Sequence, residues 1–186
     1  VWGPGGAVGI PREGGPARTR VLPVAGLARS PASVPLAAAG TVGVPFVTAH
    51  EGLRRAQLRG PGQTVVVFGA GGKVGQAAVQ LASRAGAQVI AVVRGGRYPG
   101  HHSGPIQVID GGRADLAEAV LAASGGRGAD IAYNTVGSPY FEAALNSLAV
   151  GGTQVLIATL ERNVPFDILP FYRRNLQMLG VDSLKL

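Results

Sequence analysis

The sequence has no cysteine, few aromatic residues and no long apolar run. Its 186 residues include 0 cysteines, and Phe, Tyr and Trp together make up 5% of them. Without cysteine the chain can form neither disulfide bonds nor cysteine-ligated zinc sites. No stretch is apolar for long enough to cross a bilayer, and the first residues show no signal-peptide pattern. We therefore expect a cytoplasmic protein that has no membrane partner.

Acidic residues are also scarce, since 10 Asp and Glu stand against 17 Lys and Arg, which gives a formal net charge of +7. A basic balance can indicate nucleic-acid binding. Here the arginines are scattered from Arg12 to Arg174, without a dense basic stripe or an aromatic stacking motif. We therefore expect no nucleic-acid partner, and we interpret the charge as an aid to holding a phosphorylated cofactor.

The most informative segment runs from residue 64 to residue 86. Thr64–Phe68 is almost entirely apolar and mostly β-branched, which predicts a buried parallel strand. Glycines follow, and then one apolar helical face formed by Val74, Ala77, Ala78, Leu81, Ala82 and Ala85. This order aims backbone N–H groups and the positive end of the helix dipole at one point, where a diphosphate fits.

The glycines of this segment depart from the usual dinucleotide-binding spacing. Gly69, Gly72 and Gly75 stand three residues apart instead of forming G-x-G-x-x-G. A plain strand–turn–helix joint is therefore the alternative interpretation. We favour phosphate binding because strand, loop and helix stand in the order that the mechanism requires.

Strand-like and helix-like segments alternate along residues 36–186. The other predicted strands are Gln88–Val93, Ile106–Ile109, Asp130–Asn134, Gln154–Ala158 and Gln177–Val181. The other predicted helices cover residues 36–58, Asp115–Ala123 and a segment that begins at Ser138 and is ended by Gly151-Gly152. This alternation predicts an α/β fold with a doubly wound, mostly parallel sheet of the Rossmann type. We assign residues 36–186 to this domain, expect it to be truncated at its C-terminus, and expect β-structure and loops in residues 1–35.

The end of the second strand indicates which cofactor the domain binds. NAD-binding units carry an acidic residue there for the ribose hydroxyls, but this strand ends at Arg94, with Arg97 and Tyr98 beyond it. A guanidinium can form a bidentate, charge-assisted pair with a 2′-phosphate, which an acid would repel. The sequence therefore predicts NADP(H) over NAD(H), with Tyr98 adding a hydroxyl or stacking under adenine. Solvated loop arginines are the alternative.

Other loops at the carboxyl ends of the strands are expected to line the ligand crevice. Asn134, Val136 and Thr159 lie at or just after the ends of two of the strands, and Thr48 lies at the start of the 46–58 part of the first helix. We predict that these positions face nicotinamide and ribose. Simple loop packing is the alternative for each of them.

Four stretches of the chain resemble the medium-chain dehydrogenase/reductase superfamily, in its zinc-free, quinone-oxidoreductase-like (zeta-crystallin-like) branch. They are Gly43–Ala49, the glycine loop within Val66–Ala78, Ala129–Gly137, and Phe171–Asn175 with Leu179–Ser183. Residues 1–35 look like the tail of the chaperonin-10-like catalytic domain of that family. The resemblance thus implies that the chain is a fragment of a longer protein.

The resemblance implies an NADPH-dependent oxidoreductase, of the quinone oxidoreductase or alcohol dehydrogenase kind, that transfers a hydride to a quinone, enone or carbonyl substrate. It also implies that the domain has no metal site and that the full-length parent is a homodimer. The catalytic residues are not identified by this sequence. On the matching positions, Gly71, Gly72, Lys73 and Val74 would hold the diphosphate. Asn134, Val136 and Thr159 would flank the nicotinamide.

The chain departs from the family pattern at two places. Asn134 stands where the family usually has Asp, which affects one hydrogen bond. Between Arg94 and Asp110 the glycines and prolines disfavour the helix that the family usually has, so the adenine side is expected to be rearranged. His101 and His102 in this loop are interpreted as exposed loop residues, since no third metal ligand has suitable spacing.

Two further interpretations compete with that of an enzyme. A non-catalytic NADP(H)-binding module, or an inactive fragment, would need the same glycine loop and Arg94, and it would differ only in consuming no NADPH. A nucleic-acid-binding protein would show affinity that falls steeply with salt, and we rank it last.

Overall fold

The computed structural model of the chain describes residues 27 and 29–185. The predicted catalytic-domain tail at residues 1–35 lies mostly outside the described residues and stays a prediction. No helix among the described residues is both long and apolar enough to cross a membrane.

Among the described residues, six strands form one sheet in which every neighbouring pair is parallel. The strands are β1 (Thr64–Phe68), β2 (Gln88–Val93), β3 (Ile106–Asp110), β4 (Ala129–Asn134), β5 (Leu148–Leu156) and β6 (Gln177–Gly180). Their spatial order is β3-β2-β1-β4-β5-β6. This order reverses between β1 and β4, as in the doubly wound dinucleotide-binding fold. The predicted Rossmann-type α/β fold is therefore confirmed.

In the part of the chain that the structure describes, five helices flank the sheet. They are α1 (Leu36–Arg55), α2 (Lys73–Arg84), α3 (Leu116–Ala123), α4 (Phe141–Asn146) and α5 (Ile168–Arg173). Two short 3-10 turns, Ser138–Tyr140 and Ser183–Lys185, complete the described elements. As the glycines and prolines predict, residues 94–105 contain no helix.

The apolar run of β1 supplies both faces of the core. Val65 and Val67 lie in the layer formed with α1 and α2, whereas Val66 and Phe68 lie in the layer formed with α3 and α4. All four side chains are fully buried. A strand that is covered on both faces needs apolar residues at successive positions rather than at alternate ones.

The start of β5 differs from the prediction. Gly151 and Gly152 were expected to end the preceding helix, but that helix ends at Asn146 and the strand has already begun at Leu148. The β4–β5 register shifts between Ala129 and Ile131, so the glycines lie in an irregular stretch inside the strand. Gly151 has φ +76°, a conformation that favours glycine. Glycine pairs stop helices and form strand bulges alike, so the sequence does not separate the two.

Helix α1 is kinked where its sequence cannot continue a regular helix. Gly43 has φ −40° and ψ −107°, and Pro45 follows inside the helix. Proline removes a backbone donor and crowds the preceding turn. The segment from Pro45 to Arg55 packs over the sheet through Ala49 and Leu53.

Candidate functional site

The candidate site is the crevice at the carboxyl ends of β1 and β4. These two strands are adjacent, with Phe68 opposite Asn134 at their last paired position. The chain leaves β1 for α2 on one side and leaves β4 for α4 on the other, so the two loops diverge above the sheet. In open α/β sheets this divergence creates the ligand crevice.

The β1–α2 loop is shaped by two glycines that have no room for a side chain. Gly69 has φ +75°, and a Cβ there would lie 2.6 Å from Val136 Cγ2. A Cβ at Gly75 would lie 2.7 Å from Ala70 Cα. Gly75 therefore lets the first turn of α2 sit directly on the loop, as the sequence predicts for close helix–strand packing.

The backbone of this loop leaves several donors available at the amino end of α2. Gly72 N–H donates to Gly69 O at 3.0 Å, and Gln76 N–H donates to Gly72 O at 2.8 Å. The N–H groups of the first helical residues, Lys73, Val74 and Gly75, precede the first intrahelical bond. Together with the helix dipole they form an anion-binding site.

The predicted diphosphate-binding residues lie together at this site. Gly71, Gly72 and Lys73 are exposed, while Val74 is half-buried. At Gly72 a Cβ would approach only Gly69 O, at 3.4 Å. The loop is thus open above Gly71 and Gly72 and closed beneath Gly69 and Gly75, an arrangement that suits a ligand lying over the backbone.

Asn134 holds the loop after β4 from inside. Its side-chain oxygen accepts the N–H groups of Val136 and Gly137 at 3.1 and 2.8 Å, and its Nδ2 donates to Gly137 O at 2.9 Å. The residue is fully buried. Its amide therefore shapes the crevice, and a carboxylate could not make the bond to Gly137 O because it is an acceptor only.

Thr135 lies in one of the loops that the sequence predicts to line the crevice, but the sequence reasoning did not single it out as a site residue. Its hydroxyl donates to Phe68 O at 2.9 Å and lies 3.3 Å from Gly69 O, and its N–H also donates to Phe68 O. Thr135 thereby ties the end of β1 to the loop after β4. Its place directly after a buried strand was the only signal for it in the sequence.

Thr48 lies in the wall of α1, with both of its polar groups bonded within the protein. Its hydroxyl donates to Val44 O at 2.7 Å, and its carbonyl accepts the buried Tyr133 hydroxyl at 2.8 Å. Burial raises the pKa of Tyr133, so this phenol stays a neutral donor. The side chain of Thr48 is only 3% exposed, so in this structure it positions α1 rather than presenting a hydroxyl.

Val136 lies in the loop after β4, and Thr159 lies in the loop after β5. Val136 contacts the Gly69 position, and Gly137 is so close to the next loop that its Cβ would lie 2.8 Å from Thr159 Cβ. The Thr159 hydroxyl donates to Glu161 O at 2.7 Å. A cavity of about 440 Å³ lies beside this contact and is lined in part by Phe141, Leu156, Ala158, Val164 and Phe166.

The loop after β2 carries the predicted cofactor-selecting residues. Arg94 and Arg97 are both exposed. Tyr98 is half-buried against the α2 face of the core, and its hydroxyl lies 3.3 Å from His101 O. Burial raises the pKa of Tyr98 to about 12, so its hydroxyl is a neutral donor.

Asp110 is a second residue that the sequence reasoning missed. It ends β3 directly beside Val93, the last residue of β2. Its Oδ1 accepts the N–H groups of Gly95 and Gly112 at 2.9 and 3.0 Å. These backbone bonds, led by the one from Gly112, lower the pKa of Asp110. An acid therefore lies next to the end of β2, although β2 itself has none.

Within residues 27 and 29–185, no three His, Cys, Asp or Glu side chains are grouped so that they could share a metal ion. His102 Nδ1 lies 2.7 Å from Gly104 O, and both His101 and His102 are exposed. The predicted lack of a metal site stays a prediction.

Comparison with known proteins shows the family to which this fold and crevice belong. A family model described as zinc-binding dehydrogenase matches residues 74–185, more than half of the chain. A zinc-type alcohol dehydrogenase-like protein of Schizosaccharomyces pombe is 32% identical over 191 residues, which cover 100% of this chain and 55% of that protein. A quinone oxidoreductase-like protein 2 homolog of Nematostella vectensis is 30% identical and covers 82% of this chain and 42% of its own length.

Solved structures agree with these relatives. An NAD-dependent alcohol dehydrogenase superposes with a TM-score of 0.78 at 28% identity, over 94% of this chain and 52% of that one. An alcohol dehydrogenase superfamily protein from Novosphingobium aromaticivorans gives a TM-score of 0.72 at 29% identity, over 86% and 47%. The chain therefore belongs to the zinc-binding dehydrogenase family, and the predicted membership of the medium-chain dehydrogenase/reductase superfamily is confirmed. The chain spans about half the length of these relatives.

Proposed function

We propose that the chain binds NADP(H) and forms the cofactor-binding half of an oxidoreductase that transfers a hydride to a quinone, enone or carbonyl substrate. When bound, the nicotinamide would supply the hydride, and the protein would orient it. The family supports an oxidoreductase of the medium-chain type. The cofactor preference and the substrate class are our proposals.

One observation carries the proposal. The open glycine loop at the start of α2 and the two exposed arginines after β2 lie at the same end of the sheet, where the strands have their carboxyl ends. The loop offers the N–H groups of Lys73 and Val74 to a diphosphate. Arg94 and Arg97 follow β2, whose end carries no acid that could bind the ribose hydroxyls directly. This combination favours a cofactor that carries a 2′-phosphate.

The nicotinamide end would lie over the other half of the edge. There Asn134 and Gly137 hold a closed loop, and Thr159 stands at its border. The cavity beside Thr159 is mostly apolar and falls within the size range of small-molecule sites. Glu161 and Arg162 also line the cavity, but most of its lining surface is apolar, which supports a carbonyl or quinone substrate.

The first test is a fluorescence titration with NADPH and NADH, on the wild-type chain and on Arg94→Asp. We expect wild-type protein to bind NADPH more tightly, and the variant to lose about tenfold or more in NADPH affinity because a guanidinium–phosphate pair becomes a repulsion. NADH affinity should hold or increase, because the new carboxylate stands where NAD-binding units carry the acid that binds the ribose hydroxyls. Arg84→Asp is the matched control, since it makes the same charge change at the far end of α2.

Preference for NADH in the wild-type chain would overturn the cofactor proposal, and one structural relative is described as NAD-dependent. Turnover is tested separately by following NADPH absorbance with quinones, enones and other carbonyl compounds. The full-length parent could bind NADPH and yet consume none of it with any of these compounds. That result would favour the non-catalytic NADP(H)-binding module.

The full-length parent is proposed to be a homodimer. The described sheet ends at β6, and Val181, just after that strand, is buried and donates its N–H to Leu156 O at 2.9 Å. An edge strand offers unpaired backbone groups to a second copy. Light scattering of the parent tests this assembly, and a monomer at micromolar concentration would refute it.

A further inference from the structure

The segment that carries Arg94 and Arg97 has little internal structure to hold it. Gly95 and Gly96 separate the two arginines and have φ +79° and +65°. Within this segment, Gly96 N–H donates to Val93 O at 3.2 Å. Two successive glycines are costly to order because they lose more conformational freedom than other residues. Something outside the segment must therefore hold it if the arginines are to be positioned.

Asp110 makes that contact from the neighbouring strand. Its Oδ1 receives Gly95 N–H at 2.9 Å and Gly112 N–H at 3.0 Å, so one oxygen bridges the loops after β2 and β3. A Cβ at Gly96 would lie 3.7 Å from Asp110 Cβ, which shows how closely the glycine turn rests on this residue. Gly111 N–H adds a bond to Val93 O at 2.9 Å.

The carboxylate of Asp110 is hydrogen-bonded to backbone N–H groups, while the arginine nearest to it in sequence pairs with another acid. The cation nearest in sequence, Arg113, forms a two-point ion pair with Asp115, at 2.9 and 2.6 Å. Asp110 instead accepts backbone N–H groups, which lower its pKa and keep it ionised. Charge-assisted hydrogen bonds of this kind are stronger than neutral ones.

We propose that Asp110 is a positioning residue for cofactor selectivity: its bridge between Gly95 and Gly112 fixes the turn that places Arg94 and Arg97 for a 2′-phosphate. This inference rests on the proposed NADP(H) binding. An acid next to β2 therefore supports 2′-phosphate recognition here through the backbone, whereas an acid on β2 would oppose it. Arg94 and Arg97 remain the residues that contact the phosphate.

The test measures the dissociation constants of 2′,5′-ADP and 5′-AMP by calorimetry, because the two probes differ only in the 2′-phosphate. We expect Asp110→Ala to weaken 2′,5′-ADP binding about tenfold and to leave 5′-AMP binding within twofold, since the loss of a charged hydrogen bond has that size. Asp110→Asn keeps an acceptor oxygen in place and should retain the wild-type preference. Glu118→Ala removes the same charge from an exposed position on α3, outside the turn, and it should change neither affinity more than twofold.

Different failures point to different errors. If the wild-type chain binds both probes equally, NADP(H) binding and this inference fall together. If the wild-type chain prefers 2′,5′-ADP but Asp110→Ala keeps that preference, or loses both probes alike, only the role of Asp110 is refuted. If Asp110→Asn behaves like Asp110→Ala, the backbone bridge is not the cause of selectivity. Circular dichroism confirms that each variant is folded, and Asp110 is exposed, so its replacement leaves the core intact.

Discussion

The loops at the carboxyl ends of the strands form two halves, one over β1 and β4 and one over β2 and β3, and the two halves are built in different ways. Over β1 and β4, buried glycines and the fully buried Asn134 amide hold the loops at contact distance. Over β2 and β3, the loop is exposed and rich in glycine, and its connection to the neighbouring strand runs through Asp110. The first half is held by close packing together with buried hydrogen bonds, whereas the second is held by a few exposed polar bonds.

This difference separates what the site must do from what it can vary. A diphosphate and a nicotinamide need a fixed backbone cradle, and close packing supplies it because interiors tolerate little change in volume. A choice between cofactors that differ by one phosphate needs only a few charges on an adjustable loop. We therefore expect substitutions over β1 and β4 to cost stability, and substitutions over β2 and β3 to alter selectivity.

The largest effect is expected at Gly75. In Gly75→Ala the new Cβ would meet the backbone of Ala70 at 2.7 Å, so the helix must move away from the loop. We expect the free energy of unfolding to fall by about 3 kcal/mol, at the upper end of overpacking costs. Urea denaturation followed by circular dichroism measures this loss.

Gly72→Ala is the matched control for that substitution. Gly72 has φ −74°, which alanine adopts readily, and its nearest atom to a new Cβ lies at 3.4 Å. Its stability should change by less than about 1 kcal/mol. Equal losses in the two variants would show that the loop is not held by packing at Gly75.

The sequence predicted the buried strand β1 and the glycine loop well, but it did not predict the hydrogen bonds that connect the loops. The apolar run of β1 and the glycine loop identify themselves because each signal lies within a few adjacent residues. Thr135 bonds to Phe68 and Asp110 bonds to Gly95, each in a different loop or strand, so these contacts depend on strand order, which sequence patterns do not contain. Gly151 was assigned wrongly because a glycine pair has two structural uses.

A smaller loss is expected at Asn134, the position where the family usually has Asp. Asn134→Asp keeps the two bonds from Val136 and Gly137 N–H but sets a carboxylate oxygen against Gly137 O. We expect a loss of about 2 kcal/mol near neutral pH, because a buried carbonyl loses its donor and faces a negative charge. Thermal unfolding at constant pH provides the measurement.

Asn163→Asp makes the same change at an exposed loop position and should leave stability within about 0.5 kcal/mol. A neutral or stabilising Asn134→Asp would mean that the loop rearranges to accept the acid, and the packed half would then be more adaptable than its burial suggests.

The smallest effect is expected from Asp110→Asn on stability, and it should depend on pH. Hydrogen bonds from Gly112 and Gly95 lower the pKa of Asp110 in the folded chain below its unfolded value. The carboxylate therefore contributes stability that is fully present above the unfolded pKa, about 3.9, and is lost as pH falls through the folded pKa. The wild-type chain should melt slightly above Asp110→Asn at pH 7, and the two melting temperatures should converge in acid.

Differential scanning calorimetry from pH 7 down to about pH 2 tests this convergence. A gap that stays constant with pH would come from side-chain geometry rather than charge, because the asparagine amide does not titrate. Convergence together with an unchanged 2′,5′-ADP preference in Asp110→Asn would separate the two contributions of this residue. Its charge would then stabilise the loop slightly, while its acceptor oxygen alone would set the position of the arginines.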